Sequence, residues 1–154
     1  KTARLFEAAA KSSGILAGGS ATQEQALQDY GRYIGTAFQL IDDLLDYSAD
    51  GETLGKNVGD DLSEGKPTLP LLHAMRHGNA QQAAMIREAI EQGNGRHLLD
   101  PVLETMRQCG SLEWTRSRAE EEADKAIAAL QALPESPWRS ALEARAHMAV
   151  QRDS

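Results

Sequence analysis

The chain has 154 residues, with 16 Lys and Arg against 23 Asp and Glu for a formal charge of −7, an acidic balance that argues against nucleic acid as a partner. Hydrophobic residues make up 41% and aromatics only 5%, so one domain with an Ala- and Leu-rich core is expected, and the shortage of strand formers points to helices. No apolar run approaches the roughly 18 residues of a membrane span, and a lone Cys109 excludes an internal disulfide, so a soluble protein of the reducing cytoplasm is expected.

The chain opens on Lys1-Thr2 without Met, carries no apolar leader and enters a helical pattern at once, so it is expected to be a piece of something longer. A first helix is predicted from about residue 3 to 17, stopped by Gly18-Gly19-Ser20. Thr22 with Gln25 three positions on reads as a capping box, opening a long helix to about Tyr47. From Ser48 to Pro67 the pattern gives way to a loop punctuated by Gly51, Gly55, Gly59 and Gly65. Connections of this length inside compact domains are uncommon and often functional.

Thr68 is placed to cap a short helix to about Arg76, and Asn79 with Gln82 to cap another to Gln92. A helix over Arg96 to Gln108 follows, then a long one from Ser111 through Leu133 with Leu112, Ala119, Ala123, Ala126, Ile127 and Leu130 on one face. Glu120, Glu121 and Glu122 fall largely on the other face. After Pro134, Ser136-Pro137 supplies an N-cap with proline in the first turn for a final helix carrying Trp138, Leu142, Ala146 and Val150. An all-α helical bundle results.

The chemistry concentrates in Gly35-Thr36-Ala37-Phe38-Gln39-Leu40-Ile41-Asp42-Asp43-Leu44-Leu45-Asp46-Tyr47. At about 100° per residue from Gln39, Asp42, Asp43 and Asp46 fall near −60°, +40° and −20°, so all three carboxylates share one stripe. The rest of the circumference is apolar, which suits a helix buried in a bundle with its acids facing a cavity. Two such charges about 6 Å apart repel by roughly 3 kcal/mol at an effective dielectric near 20. A cation is therefore required, and carboxylate oxygens without nearby His or Cys favour Mg²⁺ shared with substrate phosphates. A helix end emerging into water would carry the same three letters for no reason. The next segment weighs against that, because Gly55-Lys56 and Asp60-Asp61-Leu62-Ser63-Glu64-Gly65-Lys66 bring two lysines to glycine-punctuated backbone. Neither Gly-Lys pair is followed by Ser or Thr, so a nucleotide-binding P-loop is not supported.

Phe38-Gln39, Asp42-Asp43-x-x-Asp46, Gly55-Lys56, Asp61-Leu62-x-Glu64-Gly65-Lys66 and Thr68-Leu69-Pro70 together resemble the second aspartate-rich region of the trans-isoprenyl diphosphate synthases, the farnesyl and polyprenyl diphosphate synthase family. The similarity runs from Lys1-Thr2 to the C-terminus and is closest to bacterial long-chain members that supply quinone side chains. The resemblance implies the C-terminal portion of an isoprenoid-synthase helical bundle, with residues 1–154 as the C-terminal half of one synthase domain.

It further implies Mg²⁺ as cofactor, held by Asp42 and Asp46 with Asp43 supporting. Lys1, Lys56 and Lys66 would contact the allylic diphosphate, with Thr2 and Gln39 lining the pocket; Asp42, Asp43 and Lys56 would carry catalysis. The implied reaction joins an allylic diphosphate to isopentenyl diphosphate, and metal ions and lysines act where negative charge accumulates, so no nucleophilic Ser or Cys is needed. The full-length protein would be a homodimer, compatible with peripheral membrane contact for release of product. The family's first aspartate-rich motif is absent from this chain, so little or no turnover is expected from it alone, and apolar surface is expected to be left bare. An accessory dimerisation subunit and a terpene cyclase are the competing readings; the acidic interior disfavours the first and the lysine loop the second.

Other residues carry plainer expectations. His73 and His77 stand four apart but lack an evident third metal ligand. Met75, Met85, Met106 and Met148 are expected to fill core gaps, Trp114 and Trp138 to anchor packing, and Cys109 to be an inert thiol.

Overall fold

The computed structural model describes residues 2–48 and 58–152, and among them every regular element is helical. The elements are α1 (Thr2–Leu16), α2 (Ala21–Leu45), α3 (Asp60–Ser63), α4 (Leu69–His77), α5 (Ala80–Gln92), α6 (Leu99–Cys109), α7 (Ser111–Ala129) and α8 (Pro137–Val150). Short 3₁₀ turns, Gly95–Leu98 and Leu130–Ala132, precede α6 and follow α7. None of the described helices is long and apolar enough to cross a membrane. The chain divides into two compact units, residues up to 41 with 117–152, and residues 42–116.

In the first unit the core is Tyr30, Ile34, Ala126, Leu130 and Ala146, packed about by Phe6, Tyr33, Ile127, Leu133 and Leu142. Leu130 is wholly buried, a burial worth about 1.5–3 kcal/mol. The Tyr30 hydroxyl donates to the Leu142 carbonyl at 3.0 Å, satisfying the one polar atom that this ring brings into the core. On α1, Glu7 is buried but accepts from Arg4 at 2.8 Å and Gln28 at 2.7 Å. Gly31 and Gly35 set the approach of α1 to α2. A Cβ on Gly31 would stand 2.5 Å from the Phe6 carbonyl oxygen, and one on Gly35 2.7 Å from Ala3 Cα. At both positions the backbones of α1 and α2 meet too closely for any side chain.

In the second unit Tyr47, Leu62, Leu71, Ala74, Ile86, Ala89, Val102 and Met106 form the core, with Met75, Met85, Leu98, Leu99 and Leu112 against it. Helix α5 opens with the expected Asn79/Gln82 capping box, each backbone N–H donating to the other's side chain at 2.9 Å. Helix α8 likewise opens on Ser136, which accepts from Arg139 N–H at 3.1 Å, with Pro137 following.

Several local expectations change. The box opening α2 is Ser20 and Gln23, not Thr22 and Gln25: Gln23 N–H donates to Ser20 Oγ at 3.4 Å and Ser20 N–H to Gln23 Oε1 at 2.9 Å. Helix α2 ends at Leu45, and a helical turn, α3, interrupts the stretch read as loop. Thr68 occupies the N-cap of α4 without a side-chain cap, because its hydroxyl donates instead to the Tyr47 hydroxyl at 3.4 Å. The helix read from Arg96 begins as a 3₁₀ turn, and the one read through Leu133 gives way to 3₁₀ after Ala129. Trp138 is 81% exposed and Met148 58%, so neither packs as expected. Steps of four residues drift by about 40° around a helix, which carries Trp138 off the stripe of Ala146 and Val150; Met148 lies two residues, about 200°, from Ala146. Met106 is buried and Met75 and Met85 pack at the core edge as expected. Leu5, Ile15 and Leu16 of α1 are largely exposed.

Candidate functional site

Asp42 and Asp43 lie in the last turn of α2 and Asp46 one residue beyond its end. All three are half-buried. The turn that follows is built from the helix's own carbonyls: Tyr47 N–H donates to Leu44 O at 3.1 Å, and Ser48 N–H to Leu45 O at 3.2 Å. This places the Tyr47 ring in the core, 2% exposed, and leaves Asp46 at the rim.

The lysine-bearing segment folds back on Asp46. Gly59 N–H donates to the Asp46 carbonyl at 2.9 Å, and Asp61 N–H donates to Asp46 Oδ2 at 3.0 Å. The latter is a carboxylate receiving a donor of the first turn of α3, where unpaired N–H groups are available. Leu62, fully buried, pins α3 to the core between these polar neighbours. Gly65, at φ +68°, then reverses the chain in a conformation that disfavours other residues, and a Cβ there would also come within 2.5 Å of the Ile90 carbonyl oxygen. The reversal brings Lys66 Nζ to 2.7 Å from Asp61 Oδ1 and 2.7 Å from Glu64 Oε2. Asp60, on the other side of the turn, pairs with Arg96 at 3.3 Å.

The electrostatics follow from this crowding. Burial pushes the Asp46 carboxyl up to about 6, with the Asp61 N–H working against the shift and the charges of Asp61 and Asp60 adding to it. Lys66 is held firmly protonated, first by its hydrogen bond to Asp61 and then by that to Glu64. Burial likewise raises the Tyr47 phenol well above its usual range, so this hydroxyl is a neutral partner for Thr68. The site therefore holds excess negative charge of which Asp46 is the most strained member, beside a cation already committed to two carboxylates.

The structure thus brings Asp46, Asp61 and Lys66 together, with Asp42 and Asp43 one turn back along the chain. Thr2, in the first turn of α1, and Gln39, on α2, are half-buried within the first unit. Lys1 and Lys56 lie outside the described residues. Among the described residues no three His, Cys, Asp or Glu side chains converge on one point as a metal cage. The chemistry of the candidate donors nevertheless fits a hard cation of the Mg²⁺ or Ca²⁺ type: they are carboxylate oxygens, and that of Asp46 is destabilised as an anion by its surroundings. Mg²⁺ takes only one or two protein carboxylates and fills its shell with water and phosphate. The Asp61 N–H on Asp46, the Tyr47–Thr68 hydroxyl pair and the Asp60–Arg96 ion pair were not evident in the sequence. The glycines flanking Asp60 to Glu64 were the available signal of a tight helical turn there.

A profile of the polyprenyl synthetase family matches residues 1–106. The chain is 79% identical over 153 residues to octaprenyl diphosphate synthase of Escherichia coli K12, covering 99% of this chain and 47% of that protein. It is 63% identical to the enzyme of the same name from Haemophilus influenzae, covering 99% of this chain and 46% of that one. It also superposes with a TM-score of 0.90 on a polyprenyl synthase from Caulobacter crescentus, a crystal structure complexed with calcium and isoprenyl diphosphate. That match is 43% identical and covers 100% of this chain and 47% of the other. The chain thus spans about half the length of the curated relatives that it matches.

Proposed function

This chain belongs to the polyprenyl synthetase family, and from that premise we propose that it forms the C-terminal half of a trans-polyprenyl diphosphate synthase. The reaction is loss of diphosphate from an allylic primer, attack on the resulting carbocation by the double bond of isopentenyl diphosphate, and release of a proton. High identity to two octaprenyl diphosphate synthases supports a long-chain product of octaprenyl length, suited to quinone side chains. A cytoplasmic homodimer is the proposed form of the whole enzyme.

The observation that carries this reading is the meeting of Asp46, Asp61 and Lys66 at the end of α2. Asp42, Asp43 and Asp46 would hold a divalent ion, Mg²⁺ in the cell. When bound, that ion supplies positive charge where the departing diphosphate gains negative charge. Lys66, held protonated within the site, exchanges its carboxylate partners for a phosphate oxygen of the allylic substrate, and Lys1 and Lys56 are assigned the same task. Thr2 and Gln39 are assigned to the diphosphate pocket. A carboxylate that is costly as an anion in the ligand-free chain, as Asp46 is, gains most from a cation, so the site is poised for metal and diphosphate to arrive together.

The test is to join this chain to the upstream half of a close relative and to measure incorporation of isopentenyl diphosphate into an allylic primer, with and without Mg²⁺. Metal-dependent elongation is expected. A folded, full-length protein that elongates nothing would instead identify an accessory subunit that keeps the helices for dimerisation.

A further inference from the structure

The hydroxyls of Tyr47 and Thr68 depart from what local chemistry favours. Thr68 has the extended backbone of a helix N-cap, φ −73° and ψ 159°, where a threonine ordinarily turns its hydroxyl back to accept an N–H of the first turn. Here the hydroxyl makes no cap and donates to the Tyr47 hydroxyl at 3.4 Å. Both residues are buried, Tyr47 at 2% and Thr68 at 6% exposed, so water hardly competes for the bond. The Tyr47 ring packs in one core with Leu62 and Leu71, a task that phenylalanine would serve as well. The phenolic oxygen is surplus to packing.

That bond closes a circuit around the site. Thr68 N–H donates to the Lys66 carbonyl at 2.9 Å, a three-residue turn about Pro67, whose ring holds φ near the value that such a turn needs. Lys66 N–H donates to the Asp61 carbonyl at 2.9 Å, and Asp61 N–H to Asp46 Oδ2 at 3.0 Å. Hydrogen bonds thus lead from the Tyr47 hydroxyl through Thr68, Lys66 and Asp61 to Asp46, the residue that precedes Tyr47 in the chain. The α3 side of this ring is fixed independently, by Gly59 N–H on the Asp46 carbonyl and by Leu62 in the core. Lys66 and Pro67 are exposed, so the Lys66 backbone is held between its bond to Asp61 on one side and the Thr68 anchor on the other.

Resting on the synthase reading above, we propose that Tyr47 is a positioning residue for diphosphate capture: its hydroxyl acts through Thr68 to hold the Lys66 backbone where the ammonium can pass from its carboxylate partners to a phosphate oxygen. The Tyr47 ring is enclosed in the core, so the effect travels through Thr68 and not by contact with substrate. Loss of the hydroxyl leaves the fold in place, because Thr68 is then free to cap α4 from a backbone that already suits the task. What is lost is preorganisation of Lys66. Substrate capture weakens, while the chemical step that follows it is little changed.

Tyr47→Phe is compared with the parent sequence in two settings. In the chain itself, amide hydrogen exchange at Asp61 and Lys66 should quicken about 3–10-fold, the scale of one neutral hydrogen bond. Exchange at Ile86, wholly buried on α5, and the urea midpoint should stay where they are. In the full-length protein made by joining this chain to the upstream half of a close relative, KM for the allylic diphosphate should rise about 3–10-fold with kcat within about twofold. Thr68→Val should reproduce that rise, and Thr68→Ser, which keeps the hydroxyl, should not. An active joined protein whose KM is unmoved by both Tyr47→Phe and Thr68→Val, or unaltered exchange at Asp61 and Lys66 in the chain, would overturn the role of Tyr47 alone. A joined protein of parent sequence that elongates nothing would instead remove the synthase reading, and this role with it.

Discussion

The Asp46 carboxylate accepts the backbone N–H of Asp61 at 3.0 Å, tying the end of α2 to the first turn of α3 fifteen residues on. That bond stabilises an anion which burial otherwise penalises, and it leaves the carboxyl near pKa 6. The consequences can be measured.

The ligand-free chain should gain stability on mild acidification. Because Asp46 titrates near 6 when folded against an ordinary 3.8, its favourable term is complete below about pH 4 and is lost as pH rises through 6. Allowing for its partial exposure, lowering the pH from 7.5 to 5 should add about 1 kcal/mol from this group. Urea unfolding of Asp46→Asn at the two pH values should show that increment gone.

Lys66→Ala should separate stability from binding. The Lys66 side chain is 54% exposed, so breaking its ion pairs should change the unfolding free energy by less than about 1 kcal/mol. In the rejoined enzyme the same change should lower kcat/KM for the allylic primer about 10–100-fold, the loss of one charge-assisted bond to phosphate.

Asp42 and Asp60 should behave differently although both are acids of the same segment. Asp42→Ala in the rejoined enzyme should cost about 100-fold or more in rate, the scale of losing electrostatic stabilisation of a leaving group. Asp60 is spent on Arg96, so Asp60→Ala should cost less than about tenfold, and steady-state rates at saturating Mg²⁺ distinguish the two.

Gly35→Ala should destabilise the first unit. With Ala3 Cα 2.7 Å from the added methyl, the overpacking is expected to cost about 1–3 kcal/mol. Gly18, by contrast, has nothing within 4 Å of such a methyl, so Gly18→Ala should cost only the strain of its positive φ, about 1 kcal/mol. Thermal unfolding of the two variants side by side checks the difference.

Most of the helical architecture was legible because caps and periodicity are local. Asn79 with Gln82 and Ser136 with Pro137 open their helices as their chemistry requires. The opening of α2 was misplaced by two residues because the chain offers two equivalent boxes, Ser20 with Gln23 and Thr22 with Gln25, and local chemistry does not rank them. Thr68 kept its place at a helix start but gave its hydroxyl to Tyr47, a partner 21 residues away. At the site, the acids and the lysine segment were visible as residue types at a spacing, whereas the fold-back of α3 onto Asp46 depends on Leu62 finding the core. Trp138 escaped because four-residue spacing is only an approximation to a helical face, and the drift matters most at the end of a helix.

The seam at Gly31 and Gly35 has an outcome at the level of inheritance. Any missense change at either codon introduces at least one carbon atom where two backbones already touch, so a lesion there would deplete the cell of folded polypeptide while every reacting group remained intact. Such an allele would be recognised by low abundance, recoverable at reduced temperature, and not by a defect in turnover per surviving molecule.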